Sequence, residues 1–459
     1  IEKEKSEGVR IISDDTYPEW MTDDDKKHFN RHRFAIRIYK EDTGYYFPNK
    51  NWEPEQATNF VIKPLYLIKS QTEPRRMIEV IGWDKYNNRN IEEVIDLKVN
   101  EINKKDPFEC KLAESNPFIT YENFTISHLK KLFNKILFEF TACDELRTLG
   151  FQPEQFWAFS DACYIYPTKE KPQGERIEYN EYGVVVINGN GYLSESKNKR
   201  VLNMRADNNQ YENDLYFIYK EPKINFKEWC ELMLDAYQDK AWLGISFAIV
   251  TILRDSILHY TKIPHLHCYG EKGSGKSEFA ESIFYLFFSG KDSTGEMYKP
   301  FNLTGGGTPY SFHNRLERFR NVPQILNEYD DTNILPEFFD AIKASFDGEG
   351  RTRGSGIKNK TETMKRNATL ILVGQKIGNR DDNSVLTRSI TIEFLKPKDR
   401  PEAQIKAHRK LKLAEKDGLS GLVIEILSHR EIFVKQFGEN FMKEVLQMQN
   451  KMQELNRKV

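Results

Sequence analysis

Apolar positions along this chain change rhythm several times, and each rhythm predicts an element. Residues 1–32 are polar and rich in Asp, Glu and Lys, the pattern of a weakly ordered lead-in or an exposed first helix. Strand-like runs follow at 34–39, 60–68 and 77–83. Pro64 inside the second run has no N–H to donate, which predicts an edge strand or a bulge. Ile126, Leu129, Leu132, Phe133, Ile136, Leu137 and Phe140 then mark one face of a helix, with lysines opposite. Strand patterns resume at 156–159, 182–187 and 215–219, with Gly189-Asn190-Gly191 as a turn signal. Phe226, Trp229, Leu232, Met233 and Tyr237 return to helical spacing, and the apolar run 241–253 predicts a buried helix. A short alternating stretch at 265–269 suits a strand with two partly exposed histidines, His265 and His267. Phe279, Ile283 and Phe287 then share a helical face. The end of the chain, 399–459, is charged and helical.

These patterns divide the 459 residues into an N-terminal α+β domain (1–225), a helical linker (226–261), an α/β core (262–398) and a C-terminal helical region (399–459). Aromatic residues such as Phe156, Trp157 and Phe159 read as core. The chain opens on Ile1, not methionine, so a longer polypeptide with further domains is expected.

Composition narrows the class. With 39% hydrophobic and 30% charged residues the chain is that of a folded protein. The net charge of −1 gives no global basic signal, so any nucleic-acid surface must be a local patch. The run 241–253 is too short for a bilayer, which needs about 20 apolar residues, so no membrane partner is expected. The five cysteines form no C-x-x-C pair, which argues against a cysteine zinc site and a disulfide scaffold and fits the cytoplasm.

The strongest chemical signal is Gly270-Glu271-Lys272-Gly273-Ser274-Gly275-Lys276-Ser277, a complete G-x-x-x-x-G-K-[ST] phosphate loop between a strand pattern and a helix pattern. The glycines let successive N–H groups turn inward on a phosphate, and the next helix offers its positive end to the same charge. Lys276 can reach the β- and γ-phosphates, and Ser277 can place a hydroxyl on Mg²⁺. ATP with Mg²⁺ is the expected ligand.

Hydrolysis also needs an acid near the γ-phosphate. An apolar strand ends at Asn327-Glu328-Tyr329-Asp330-Asp331. Glu328 is the expected water-polarising base and a Mg²⁺-shell member, with Asp330 and Asp331 next in line. The following strand, 368–374, ends in Gln375, whose amide could bond both phosphate and water. Then comes Ser384-Val385-Leu386-Thr387-Arg388. An arginine there cannot easily fold back into its own site but could reach a neighbouring subunit's γ-phosphate; Arg380 is the second choice. Between the acid and Gln375, residues 348–366 carry six basic and two acidic side chains on glycine-rich backbone whose flanks could pair as a hairpin. Arg351, Arg353, Lys358 and Lys360 are candidates for holding DNA. A solvated surface loop is the plain alternative, and Arg351 and Arg353 could instead meet nucleotide at a subunit interface.

The order of phosphate loop, acidic strand end, polar strand end and Leu-x-Arg resembles an AAA+ ATPase. The segment Ser384 to Arg388 resembles the trans arginine-finger segment of MCM-type helicases. Gly348-Glu349-Gly350-Arg351-Thr352-Arg353-Gly354 and Leu326-Asn327-Glu328-Tyr329 resemble the superfamily 3, primase-associated helicases of phages, mobile elements and poxvirus-like viruses. The resemblance is specific over 265–395. It implies a hexameric ring that translocates on single-stranded or forked DNA during replication, working beside a primase or polymerase, with the hairpin projecting into a central channel. Two positions depart from that pattern: Asn327 stands where an aspartate is usual, and Gln375 where an asparagine is usual. A replication initiator or helicase loader, and an ATP-binding assembly scaffold, are the competing readings.

Overall fold

The computed structural model describes residues 17–456 except 40–41, 70–73, 103, 122–123, 168–173, 198–211, 292–294, 306, 349–350, 355–360, 365, 379–382 and 397–398. The described residues form two compact units. The first runs to Glu145 and includes 186–193; the second takes 146–185, 194–197 and the chain from 212 onward.

The first unit opens on a helix, Asp23–His32, whose start is fixed by Thr22: its hydroxyl accepts from the Asp25 N–H while the Asp25 carboxylate accepts from the Thr22 N–H. A sheet follows in which Asn190–Leu193, Thr141–Glu145, Phe60–Lys69, Arg75–Asp84 and Arg89–Lys98 lie side by side. Phe60–Lys69 is paired on both sides, so Pro64 does not mark an edge. It marks the bulge, where the register to Arg75–Asp84 shifts between Pro64 and Tyr66. The helix predicted from 126 runs Ile126–Ile136 and tightens into a 3₁₀ turn at Leu137–Glu139. Its Leu129, Leu132 and Phe133 pack with Phe60, Ile78 and Val80 of the sheet in one core.

The second unit holds the parallel sheet that matters for function. Its five strands lie in the order Phe301–Asn302, Pro323–Asn327, Thr369–Gly374, His265–Gly270, Ser389–Phe394, all parallel. Thr369–Gly374 is buried at every residue, as expected of a strand covered on both faces. The same covering buries His265 and His267, which corrects the expectation of partly exposed histidines: the polar alternation that suggests an open face lies under helices instead. His265 Nε2 lies 3.0 Å from Ile342 O. The His267 ring stands edge-on to Tyr329 with centroids 5.1 Å apart. Burial pushes both imidazoles down to about 4.

The helices Phe226–Tyr237 and Asp239–Ile252 form where predicted. Gly244 is required in the second: a Cβ there would meet the Phe279 ring at 2.8 Å, so its absence lets this helix press on the one that follows the phosphate loop. A smaller sheet carries Phe156, Trp157 and Phe159 into its core, fully buried as expected. The strand expected at 215–219 is absent. A 3₁₀ turn, Glu212–Tyr216, occupies the place, because the Asp214 carboxylate is gripped by the Arg318 guanidinium fork and its carbonyl accepts from Phe217 N–H. The C-terminal pattern forms three helices, Glu402–Asp417, Gly421–Leu427 and Arg430–Asn456. No described helix is long and apolar enough to cross a membrane.

Candidate nucleotide site

The loop strand His265–Gly270 hands over to helix Lys276–Phe284 through residues 271–275. Two glycines are demanded by this path. Gly270 lies against the neighbouring strand, where a Cβ would come within 2.1 Å of Phe394 O. Gly275, at φ +93°, caps the helix in a left-handed conformation that a side chain would strain. Gly273 faces open space, with nothing within 4 Å of where a Cβ would stand. The Ser274 hydroxyl is buried and has no hydrogen-bond partner. Lys276 is buried, and its ammonium donates to the Glu271 carbonyl at 3.2 Å, inside its own loop. A bare loop carrying an inward-turned ammonium and an unpaired hydroxyl is chemically suited to an anion.

The register of the sheet sets what surrounds that loop. Tyr269 is paired with Gly374, and Val373 with Asn327, so the three strand ends are level. The acidic strand lies two strand spacings from the loop strand, roughly 10 Å, with the Gln375 strand between them. Gln375 follows directly on Gly374 and is exposed. Gly374 must be glycine here, since a Cβ would meet Tyr329 O at 2.2 Å.

Glu328 leaves the end of the acidic strand with φ +57°, a left-handed conformation in a residue with a side chain. The backbone returns to the sheet at once, Tyr329 N–H donating to Val373 O at 2.9 Å. The kink turns the Glu328 side chain outward, where it is exposed. The other acids have different occupations. Asp330 accepts from the Thr332 hydroxyl at 2.7 Å, the Thr332 N–H and the Asn333 amide, which hold its carboxyl below the usual range. Asp331 is buried. Asn327 Oδ1, beside Glu328, is a buried acceptor with no partner.

Arg388 is at the other edge of the sheet. Ser389 pairs with His265 and Phe394 with Gly270, so Arg388 precedes the first residue of its strand and stands about six residues, roughly 20 Å, from the loop end. It closes a 3₁₀ turn, donating to Ser384 O at 2.8 Å, with Nε 3.8 Å from Asp347 Oδ2. Lys276, Ser277, Gln375 and Glu328 are thus gathered at one edge, and Arg388 is not with them. The hairpin exists: Arg351–Gly354 pairs antiparallel with Thr361–Met364. Lys358, Lys360 and Arg380 lie outside the described residues.

One arginine escaped the sequence reading. Arg400 Nη2 lies 3.2 Å from where a Cβ on Gly275 would be, so a second cation rests on the phosphate loop in the same chain. Its only sequence signal is its place, after the last strand and just before Pro401 opens a helix.

No protein-family model matches the chain, and no curated protein matches it. Among solved structures it is similar to the A form apo structure of the NrS-1 C-terminal region, at 13% identity and a TM-score of 0.32, over 82% of this chain and 71% of that one. It is also similar to an inhibitor-bound JCV helicase, at 11% identity and a TM-score of 0.26, over 48% of this chain and 62% of that one. At that degree of likeness the geometry of the site must carry the functional reading.

Proposed function

We propose that this chain is an ATP-hydrolysing motor of the AAA+ type that moves on DNA as a homo-oligomeric ring. The observation that carries the reading is the set of level strand ends: an open phosphate loop, an exposed amide and an outward-turned acid on three adjacent parallel strands. Each has a task in phosphoryl transfer. The loop N–H groups and Lys276 hold the phosphates, Arg400 adds charge over the loop, Gln375 reaches between loop and acid, and Glu328 orients water. Mg²⁺ is a hard cation that keeps several waters and shares substrate phosphates. The residues fit it: Ser277 at the helix start, Glu328, and Asn327, whose buried Oδ1 has no other partner. When bound, Mg²⁺ neutralises charge on the phosphates; the chain's own groups position them. An amide in place of an aspartate lowers the charge at that point without removing an oxygen donor.

Arg388 supports assembly. Roughly 20 Å is beyond the reach of an arginine side chain, so an Arg388 that serves catalysis serves a neighbour's site. The hairpin between the acidic and central strands supports DNA as the track, since its basic residues sit on a loop joined to the strand that ends in Gln375. On this reading residues 262–398 are the motor core and 226–261 a helical linker. Residues 1–225 and 399–459 flank the motor, and the setting is cytoplasmic replication of a phage or mobile element beside a primase or polymerase. Asn327 is the feature that favours a second reading, a scaffold or loader that binds ATP without unwinding. Turnover and strand displacement on forked DNA separate the two: displacement that depends on Lys276 supports the motor, and nucleotide binding with neither activity supports the scaffold.

A further inference from the structure

At the sheet edge opposite the phosphate loop, positive charge exceeds what balances it. Arg254 is 5% exposed, and among the described residues it makes no hydrogen bond or ion pair. Burial, together with the nearby Arg320, brings its guanidinium down to about 10. Its neighbour Asp255 is already committed, bonded to Arg430 and to the Asn321 amide. Arg254 Nη2 lies 3.9 Å from where a Cβ on Gly348 would be, at the end of helix Pro336–Asp347. Two further cations meet the same helix end. Lys262 donates to the Asp347 carbonyl at 2.9 Å, and Arg388 has its Nε 3.8 Å from the Asp347 carboxylate with its guanidinium over the Phe346 ring.

Three cations therefore gather on the last turn of one helix. Facing them are one carboxylate, Asp347, and the helix end itself, worth about half a negative charge. Roughly one and a half positive charges stay unbalanced. A buried, unpaired cation is costly, and it fits a site completed by an anion from outside the chain.

We propose that Lys262, Arg254 and Arg388 form one phosphate-binding site, which receives the terminal phosphate of a nucleotide held by the phosphate loop of a neighbouring copy of this chain. This rests on the ATPase reading and deepens it: Arg388 does not act alone. Two arginine forks and one ammonium suit a dianionic terminal phosphate, the forks fixing its direction and the lysine adding point charge. The chain path gives the site a further property. Lys262 immediately precedes the loop strand, so a single strand, His265–Gly270, joins the receiving site at its start to the phosphate loop at its end. Occupancy at one interface is thereby one strand away from the next.

Arg254→Met removes the charge and keeps most of the volume, and Lys262→Ala alters an exposed side chain that cannot disturb the core. Each is expected to lower ATP turnover about 10²-fold, while binding of a fluorescent ATP analogue to the variant's own loop stays at the parental level. Mixed with Lys276→Ala subunits, each is expected to regain turnover, because a mixed interface pairs an intact loop with an intact receiving site. Parental turnover in both variants overturns the proposal. So does loss in both with no recovery at any mixing ratio. A parent chain whose turnover does not depend on Lys276 is a separate result: it removes the ATPase reading and this site with it.

Discussion

The backbone at Glu328 makes a prediction in which stability and activity move in opposite directions. Glu328 holds φ +57°, and its side chain is exposed with no hydrogen bond or ion pair. A left-handed residue with a Cβ costs about 1–2 kcal/mol. Glycine avoids that cost but loses about 0.5–1 kcal/mol in backbone entropy on folding. Glu328→Gly should therefore stabilise the second unit by about 0.5–1 kcal/mol, since no contact is lost. For a unit of this size that raises the melting temperature by about 2 °C. The same change should cut ATP turnover by about 10²-fold or more, as for loss of a water-positioning group. Glu328→Gln keeps the strain, so it should lose the same activity with an unchanged melting temperature. Thermal unfolding and a coupled phosphate-release assay on the three chains read both quantities. A Glu328→Gly chain that melts lower, or hydrolyses like its parent, refutes the reasoning: the first denies the strain, the second denies that the strain serves a catalytic acid. Asp330 is a poor replacement because its oxygens are already bonded to Thr332 and Asn333.

Three other predictions follow from named groups. Arg388→Ala and Lys276→Ala chains, each inactive alone, should recover about a quarter of parental turnover per site when mixed equally, the fraction of ring interfaces pairing an intact loop with an intact arginine; no recovery with rings still formed removes the trans assignment. Lys358→Ala with Lys360→Ala should weaken DNA binding and shallow its salt dependence by about 1–2 in log–log slope, with basal hydrolysis intact, and unchanged binding would make the segment an ordinary loop. His265 and His267 are held neutral down to about pH 4, while in the unfolded chain they take protons near pH 6.5. The folded state then binds fewer protons across that window, so the contribution is full above about pH 6.5 and falls as pH drops toward about 4; melting scans should show the fall, and His265→Gln with His267→Gln should flatten it.

What could be read in advance depended on how local the cause was. The phosphate loop, the bulge at Pro64 and the hairpin flanks at 351 and 361 follow from short-range chemistry: glycine dihedrals, a missing N–H, a glycine-rich turn. The histidines of the loop strand went astray because exposure is set by helices that pack from elsewhere in the sequence. The turn at 212–216 replaced a predicted strand because Arg318, about a hundred positions later, takes hold of Asp214. Arg400 was invisible for the same reason: its place over Gly275 is a matter of how the last strand and the helix after it lie on the loop. The rank of Glu328 over Asp330 and Asp331 was legible as a choice of three acids. The dihedral and hydrogen bonds that separate them were not.

The central claim is that level strand ends at the phosphate loop hydrolyse ATP to move on DNA. The direct test is ATP turnover by the parent and Lys276→Ala chains, each with and without forked DNA, with strand displacement followed in the same reaction. The account predicts Mg²⁺-dependent turnover in the parent that rises with DNA and releases a strand, and neither activity in Lys276→Ala. Parental turnover that is absent, indifferent to DNA, or matched by Lys276→Ala contradicts it.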